Sequence, residues 1–127
     1  MPKTYYLDDN FINVALRATA FTPPTTIYVS LYTVAPSVSG GGTEVAGGSY
    51  ARQTVTFVAP TNGQTSNTAE ILFPVATADW GTVVAFALMD ASSGGNMLYF
   101  GNLSTPRLVQ TSDQVRFPAM QLVVQES

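Results

Sequence analysis

Few side chains in this sequence could do chemistry, and their spacing limits what each could do. There is no histidine and no cysteine. Imidazole acid–base work, thiolate attack, disulfides and zinc sites built on Cys or His are therefore excluded. The carboxylates are Asp8, Asp9, Glu44, Glu70, Asp79, Asp90, Asp113 and Glu126. Glycoside hydrolysis needs two carboxylates converging on one bond, and nothing in this spacing demands such a pair. Serine attack without histidine would need a lysine base. Lys3 is the only lysine, and no Ser-x-x-Lys occurs. No catalytic residue is predicted, and the chain reads as a non-enzyme.

Ligand sites fare no better. Gly40-Gly41-Gly42-Thr43 lacks the lysine and the strand-to-helix setting of a phosphate loop. Asp8-Asp9-Asn10 and the stretch from Asp90 to Asn96 offer oxygens. Neither has the alternating acids and bidentate glutamate of a calcium loop, so capping and turn formation explain them. No metal and no cofactor is expected. Asn102-Leu103-Ser104 fits a glycosylation pattern, read as chance because no secretion signal is visible.

What remains is surface for contact. Tyr5, Tyr6, Tyr28, Tyr32, Tyr50, Tyr99 and Trp80 could line a sugar or protein site, although aromatics on strands usually fill the core. Tyr28 and Tyr32 share one strand face and are expected to be half exposed. Glu44 and Arg52 flank Gly47-Gly48, so an ion pair between them would pin the base of a loop. The expected contact residues are Tyr5, Tyr6, Phe11, Tyr28, Tyr32, Glu44 and Arg52.

Composition narrows the partners. Five basic and eight acidic residues give a net charge of -3, and charged residues make up only 10% of the chain. A basic face for nucleic acid cannot easily be assembled from these, and no apolar run approaches a membrane span. Neither nucleic acid nor membrane is expected as a partner. So little charge on a small protein suggests a surface partly covered by neighbouring subunits.

These residues must be positioned by a chain of 127 residues, one domain's worth. Phe11, Ile12, Ala15, Leu16 and Ala18 make an apolar stripe after Asp8-Asp9-Asn10, which predicts a helix near 9–19 stopped by Pro23-Pro24. A helix this short is marginal alone, so the stripe must dock, either on the end of a β core or on a neighbouring subunit. The rest alternates strands and turns. Residues 25–34 show period two, 35–49 form a long glycine-rich loop, and Asn62-Gly63 suits a turn with positive φ. Residues 82–89 are almost continuously apolar, and a hairpin is expected around 90–96. Thr105-Pro106 is expected to break the strand that follows. Seven or eight strands with a turn about every ten residues point to an all-β antiparallel sandwich, jelly-roll-like, with one short N-terminal helix. Residues 1–127 read as one domain, with 1–24 as arm and helix.

The block from Thr43 through Gly47-Gly48-Ser49-Tyr50-Ala51-Arg52-Gln53 is distinctive. So are Ser66-Asn67-Thr68-Ala69, Phe73-Pro74, Ala78-Asp79-Trp80-Gly81-Thr82-Val83 and Gly94-Gly95-Asn96-Met97-Leu98-Tyr99-Phe100-Gly101. In this order they resemble a family of short tailed-phage virion proteins, labelled tail-fibre-like or small head proteins. The resemblance runs from about Tyr6 to Val124 and carries no catalytic motif. It implies a structural role in the virion. One expectation is a cement or decoration protein on the outer head surface, binding the major capsid protein as a homotrimer. The N-terminal arm and the long loop would serve as its grips. The alternative is a tail-fibre or baseplate domain touching host polysaccharide.

Overall fold

The computed structural model describes residues 2–125. It holds one helix, α1 (Tyr5–Arg17), and nine strands. These are β1 (Ile27–Val34), β2 (Thr43–Glu44), β3 (Gln53–Val55), β4 (Gln64–Ser66), β5 (Ile71–Leu72), β6 (Gly81–Met89), β7 (Met97–Val109), β8 (Arg116–Phe117) and β9 (Val123–Gln125). Every strand pairing is antiparallel. The all-β expectation with one short N-terminal helix is met.

The main sheet runs β2-β1-β6-β7, and β3 shares the outer edge of β1 with β2. β3 takes the Ile27–Val29 end of that edge, and β2 takes the end from Tyr32 to Val34. Two short ribbons, β4-β9 and β5-β8, complete the pairing. An apolar core joins Val29, Leu31, Val83 and Leu88 of the main sheet to Ile71, Phe73, Leu122 and Val124 of the ribbons and their flanks. The arrangement is sandwich-like. A jelly roll has two full sheets, whereas the second layer here is split into ribbons.

β6 lies between β1 and β7 and is buried along most of its length, as its unbroken apolar run predicts. A bulge at Val84 resets its alternation, so Val83 and Phe86 both face the core while Ala85, Ala87 and Met89 face the other side. Opposite that bulge, β7 carries residues 103–106 between Asn102 and Arg107. Thr105-Pro106 was expected to end the strand. The structure instead carries the strand on to Val109, because the bulge takes Pro106 out of the pairing register, where its missing N–H costs little.

Two further expectations change. The helix begins at Tyr5, before the Asp8-Asp9-Asn10 segment expected to cap it. Thr4 occupies the cap position, but its hydroxyl donates to the Met97 carbonyl at 2.5 Å instead of capping the helix. Residues 2–4 thus run along β7, with Thr4 N–H donating to Leu98 and Phe100 N–H to Pro2. The helix ends at Ala18 in the left-handed region, φ 53°, ahead of the prolines. The 35–49 stretch, expected as one long loop, is tied down. A tight turn joins Ser37 and Gly40, β2 pairs with β1, and Val45 N–H donates to Leu31.

Candidate functional site

Two regions gather the residues that the sequence singles out. The first is built on a turn. Gly47 and Gly48 both have positive φ, and reverse the chain so that Glu44 and Arg52 face each other. The Gly48 carbonyl accepts the Trp80 indole N–H at 2.8 Å, which fastens the turn to the core. Arg52 Nε and Nη2 each donate to a Glu44 carboxylate oxygen at 2.8 Å. Nη1 donates to the carbonyls of Ala91, at 2.8 Å, and Gly94, at 2.9 Å. The Tyr50 hydroxyl donates to Glu44 at 2.6 Å and accepts the Leu31 N–H at 3.1 Å. One guanidinium therefore joins β2, the approach to β3 and the β6–β7 hairpin turn. The ion pair expected at the loop base is present.

The electrostatics follow from this geometry. Burial pushes the Glu44 carboxyl up, but hydrogen bonds from Arg52 and Tyr50 and the guanidinium charge outweigh it, so it lies below the usual carboxylate range. The hydrogen bond to Glu44 raises Arg52 further, against desolvation. Burial, then the bond to Glu44, pushes the Tyr50 phenol up. Tyr32 is also raised, chiefly by burial. All four keep their ordinary neutral-pH charge. The cluster is a clamp with no net charge to offer a ligand.

Tyr32 departs from expectation. It is only 3% exposed, packed with Ala85, Ala87, Met89 and Met97 on the second face of the sheet. Buried this far, the ring presents no open aromatic platform. Its strand-mate Tyr28 is half buried against the same cluster. Tyr32 and Arg52 line one cavity of about 360 Å³ with Thr4, Gly40, Met89 and Asn96.

The second region is α1, where Tyr5, Tyr6 and Phe11 are all exposed. Lys3 Nζ lies 5.2 Å from the Phe11 ring centre and 3.6 Å from Asp8. Within α1 only Leu7 is buried. The apolar stripe therefore does not close the end of the β core. Leu16 is 80% exposed, and Ile12 and Val14 are about half exposed. Sequence reasoning placed Ile12 and Leu16 in the stripe without naming them as contacts. Their signal was the stripe itself, which lacks a matching apolar surface on the folded body.

Three further acids act as turn staples. Asp90 accepts the Asn96 N–H at 2.7 Å, Asp113 the Gln110 N–H at 2.9 Å and Asp79 the Thr111 N–H at 2.8 Å. Among the described residues no group of three His, Cys, Asp or Glu side chains could hold a metal ion. No helix there is long and apolar enough to cross a membrane.

A model of the family described as podophage GP4 fiber I protein gp80 matches residues 2–125. The chain belongs to this family. Membership makes it a phage structural protein associated with the virion, in line with the resemblance read from the glycine-turn and Tyr-Ala-Arg blocks. No curated protein matches the chain. Within this family frame, the Arg52 clamp holds the loops in place, and α1 is an apolar surface left uncovered.

Proposed function

We propose that the chain is a fibre subunit of a tailed-phage particle that works by protein contact, with α1 as its main contact surface. The observation that carries this is the uncovered apolar helix. A soluble helix normally turns its apolar stripe to the core. Here Leu7 alone is buried while Ile12, Val14 and Leu16 face outward. Such side chains gain from burial against another virion subunit, at roughly 25 cal/mol per Å². The family's description moves the weight from the head surface, the first expectation, to a fibre.

Two measurements test this reading. Immunogold labelling of intact virions should place the protein at the tail or its fibres. Gold spread over the heads would replace it with the decoration reading, with the major capsid protein as partner and a homotrimer as the unit. Phage carrying Leu16→Glu should lose the protein from purified particles while the free subunit stays folded. Normal incorporation of that variant would remove α1 as the attachment surface. For a fibre, host polysaccharide would be a second partner class, and a glycan screen would test it.

A further inference from the structure

The main sheet has two edges. At one, β2 and β3 share the side of β1. At the other, β7 is closed by residues 2–4. Thr4 N–H donates to the Leu98 carbonyl at 3.0 Å, Phe100 N–H donates to the Pro2 carbonyl at 3.1 Å, and Lys3 lies opposite Tyr99. Tyr5 N–H adds a bond to the Val38 carbonyl at 2.7 Å. Thr4 is 2% and Leu7 3% exposed. Beyond Asn102 the bulge and Pro106 spoil the edge for a regular strand. Residues 2–4 thus fill the stretch of β7 that would otherwise stand open to a foreign strand.

What holds residues 2–17 is confined to this slot and its rim. α1 packs against β7 and against no other described element. Among the described residues, none of 20–26 makes a hydrogen bond, and most of them are exposed. Residues 18–26 join α1 to β1 and span about 30 Å when extended. Pro23-Pro24 favours extension, since each ring fixes φ and drives the residue before it to open backbone. The segment is a plug on a tether. It can leave its own slot and enter the same slot of a neighbour, remaking the same bonds and burying the same two side chains.

Such an exchange loses no contact and changes only the entropy of the tether. In dilute solution the chain's own slot is the one within reach. Between abutting copies in a particle, the neighbour's slot stands at a comparable effective concentration, roughly millimolar, and the proline tether need not fold back. We infer that in the assembled fibre residues 2–7 of each copy occupy the β7 slot of a second copy. The inference rests on the reading of this chain as a fibre subunit and names a surface by which copies hold one another. α1 travels with the plug and keeps its outward apolar face.

The test is an engineered disulfide in a chain that has no cysteine of its own. The two backbone bonds flank Lys3 and Tyr99, so these form a non-hydrogen-bonded antiparallel pair. The Cα atoms of such a pair lie about 4.5 Å apart, inside the ~4.4–6.8 Å that a disulfide spans. Phage carrying Lys3→Cys with Tyr99→Cys are purified, oxidised mildly and denatured without reductant. Exchange joins different chains, so most of the protein should run as covalent multimers. The free subunit at high dilution should run as a monomer with both thiols blocked, the reference for an unexchanged plug. Particles that yield only blocked monomers would overturn the inference, and so would particles whose thiols stay free. To guard against a double variant that does not assemble, Lys3→Cys and Tyr99→Cys are also supplied on separate chains beside the wild type. A disulfide between those two chains can only be intermolecular, and its absence from mosaic particles holding both would equally overturn exchange. The fibre reading fails separately. Gold over the heads would strike that reading and leave the crosslink pattern as the measure of exchange, whereas blocked monomers with gold at the tail would strike exchange alone.

Discussion

Arg52 closes on Glu44 at two points, Nε on one carboxylate oxygen and Nη2 on the other, both at 2.8 Å. A planar fork meeting a carboxylate this way fixes direction as well as distance. The remaining nitrogen reaches the carbonyls of Ala91 and Gly94, so the register of β2 on β1 and the shape of the β6–β7 turn depend on the same side chain. The pair is mostly shielded, with the Arg52 side chain 8% and the Glu44 side chain 27% exposed.

Removing the fork should therefore cost more than a surface ion pair. Arg52→Ala leaves Glu44 and two carbonyls without their donor, and a loss of about 2–4 kcal/mol is expected. Arg52→Lys should recover less than half of it, because one ammonium cannot match both carboxylate oxygens and both carbonyls. Urea unfolding followed by tryptophan fluorescence measures this, since Trp80 reports directly on the Gly48 turn. Equal stability of the Lys variant and the wild type would show that charge alone matters here.

Acid should loosen the same clamp. The folded-state pKa of Glu44 is lowered from 4.5. Above 4.5 the carboxylate is ionised in both states and its contribution is complete. As pH falls from there through the folded value, the unfolded chain takes up the proton first and the contribution is lost. The urea midpoint of the wild type should drop on going from pH 6 to pH 3. Glu44→Gln should show a shallower drop and a lower midpoint at pH 6. An identical slope in the two proteins would mean that other carboxylates carry the acid limb.

The alkaline side has the opposite sign. Tyr50 is raised from 10.0, so its neutral form is favoured in the folded state. Its contribution is intact below pH 10 and is lost above it, as the unfolded phenol ionises first. Tyr50→Phe should be less stable at pH 7 by about 1–2 kcal/mol, having lost its bonds to Glu44 and to Leu31 N–H. It should also lose stability less steeply than the wild type between pH 10 and 11.5. Thermal melts across that range decide it.

How far the sequence revealed these features depended on how local their causes are. The Glu44–Arg52 pair was legible because only seven residues, two of them glycines, connect the partners. The alternation of β1 and the apolar run of β6 were legible for the same reason. Asn62-Gly63 adopts positive φ at both residues, as its chemistry requires. The ribbons were not legible. Ser66 pairs with Val123 and Ile71 with Phe117, and no short window of sequence contains both partners. The helix start was missed because Thr4 takes its partners from Met97 and Leu98, far along the chain. Tyr32 was read as half exposed because the pattern could not show Ala85, Ala87 and Met89 lying on the same face of the sheet.

Asn67 lies in the Ser66–Ala69 block, but its role in the fold was not legible there. It is fully buried. Its amide donates to the carbonyls of Ala69 at 2.8 Å and Pro118 at 3.0 Å, and its oxygen accepts the Leu122 N–H at 2.9 Å. It therefore stitches the β4–β5 connection to the β8–β9 connection. Asn67→Leu, which keeps the branched shape but no hydrogen-bonding atom, should cost about 3–5 kcal/mol, because several buried backbone groups lose their partner together. Hydrogen exchange should show faster exchange of the Leu122 amide in a milder Asn67→Ser variant. Wild-type protection there would mean that another acceptor takes over.

Leu7 and Leu16 sit nine residues apart on one helix and should respond in opposite ways. Leu7 is 3% exposed and is the one helix residue sunk into the body. Leu7→Ala should cost about 2–4 kcal/mol and release α1 from its anchor, seen as faster proteolysis at Arg17 with the β signal intact. Leu16 has nothing to lose in the isolated subunit. Leu16→Ala should leave the urea midpoint of monomeric protein within about 0.5 kcal/mol of wild type, since surface changes away from packing rarely exceed that. A large destabilisation of the monomer by Leu16→Ala would mean that the side chain packs within its own subunit. Leu16 would then not belong to a contact surface.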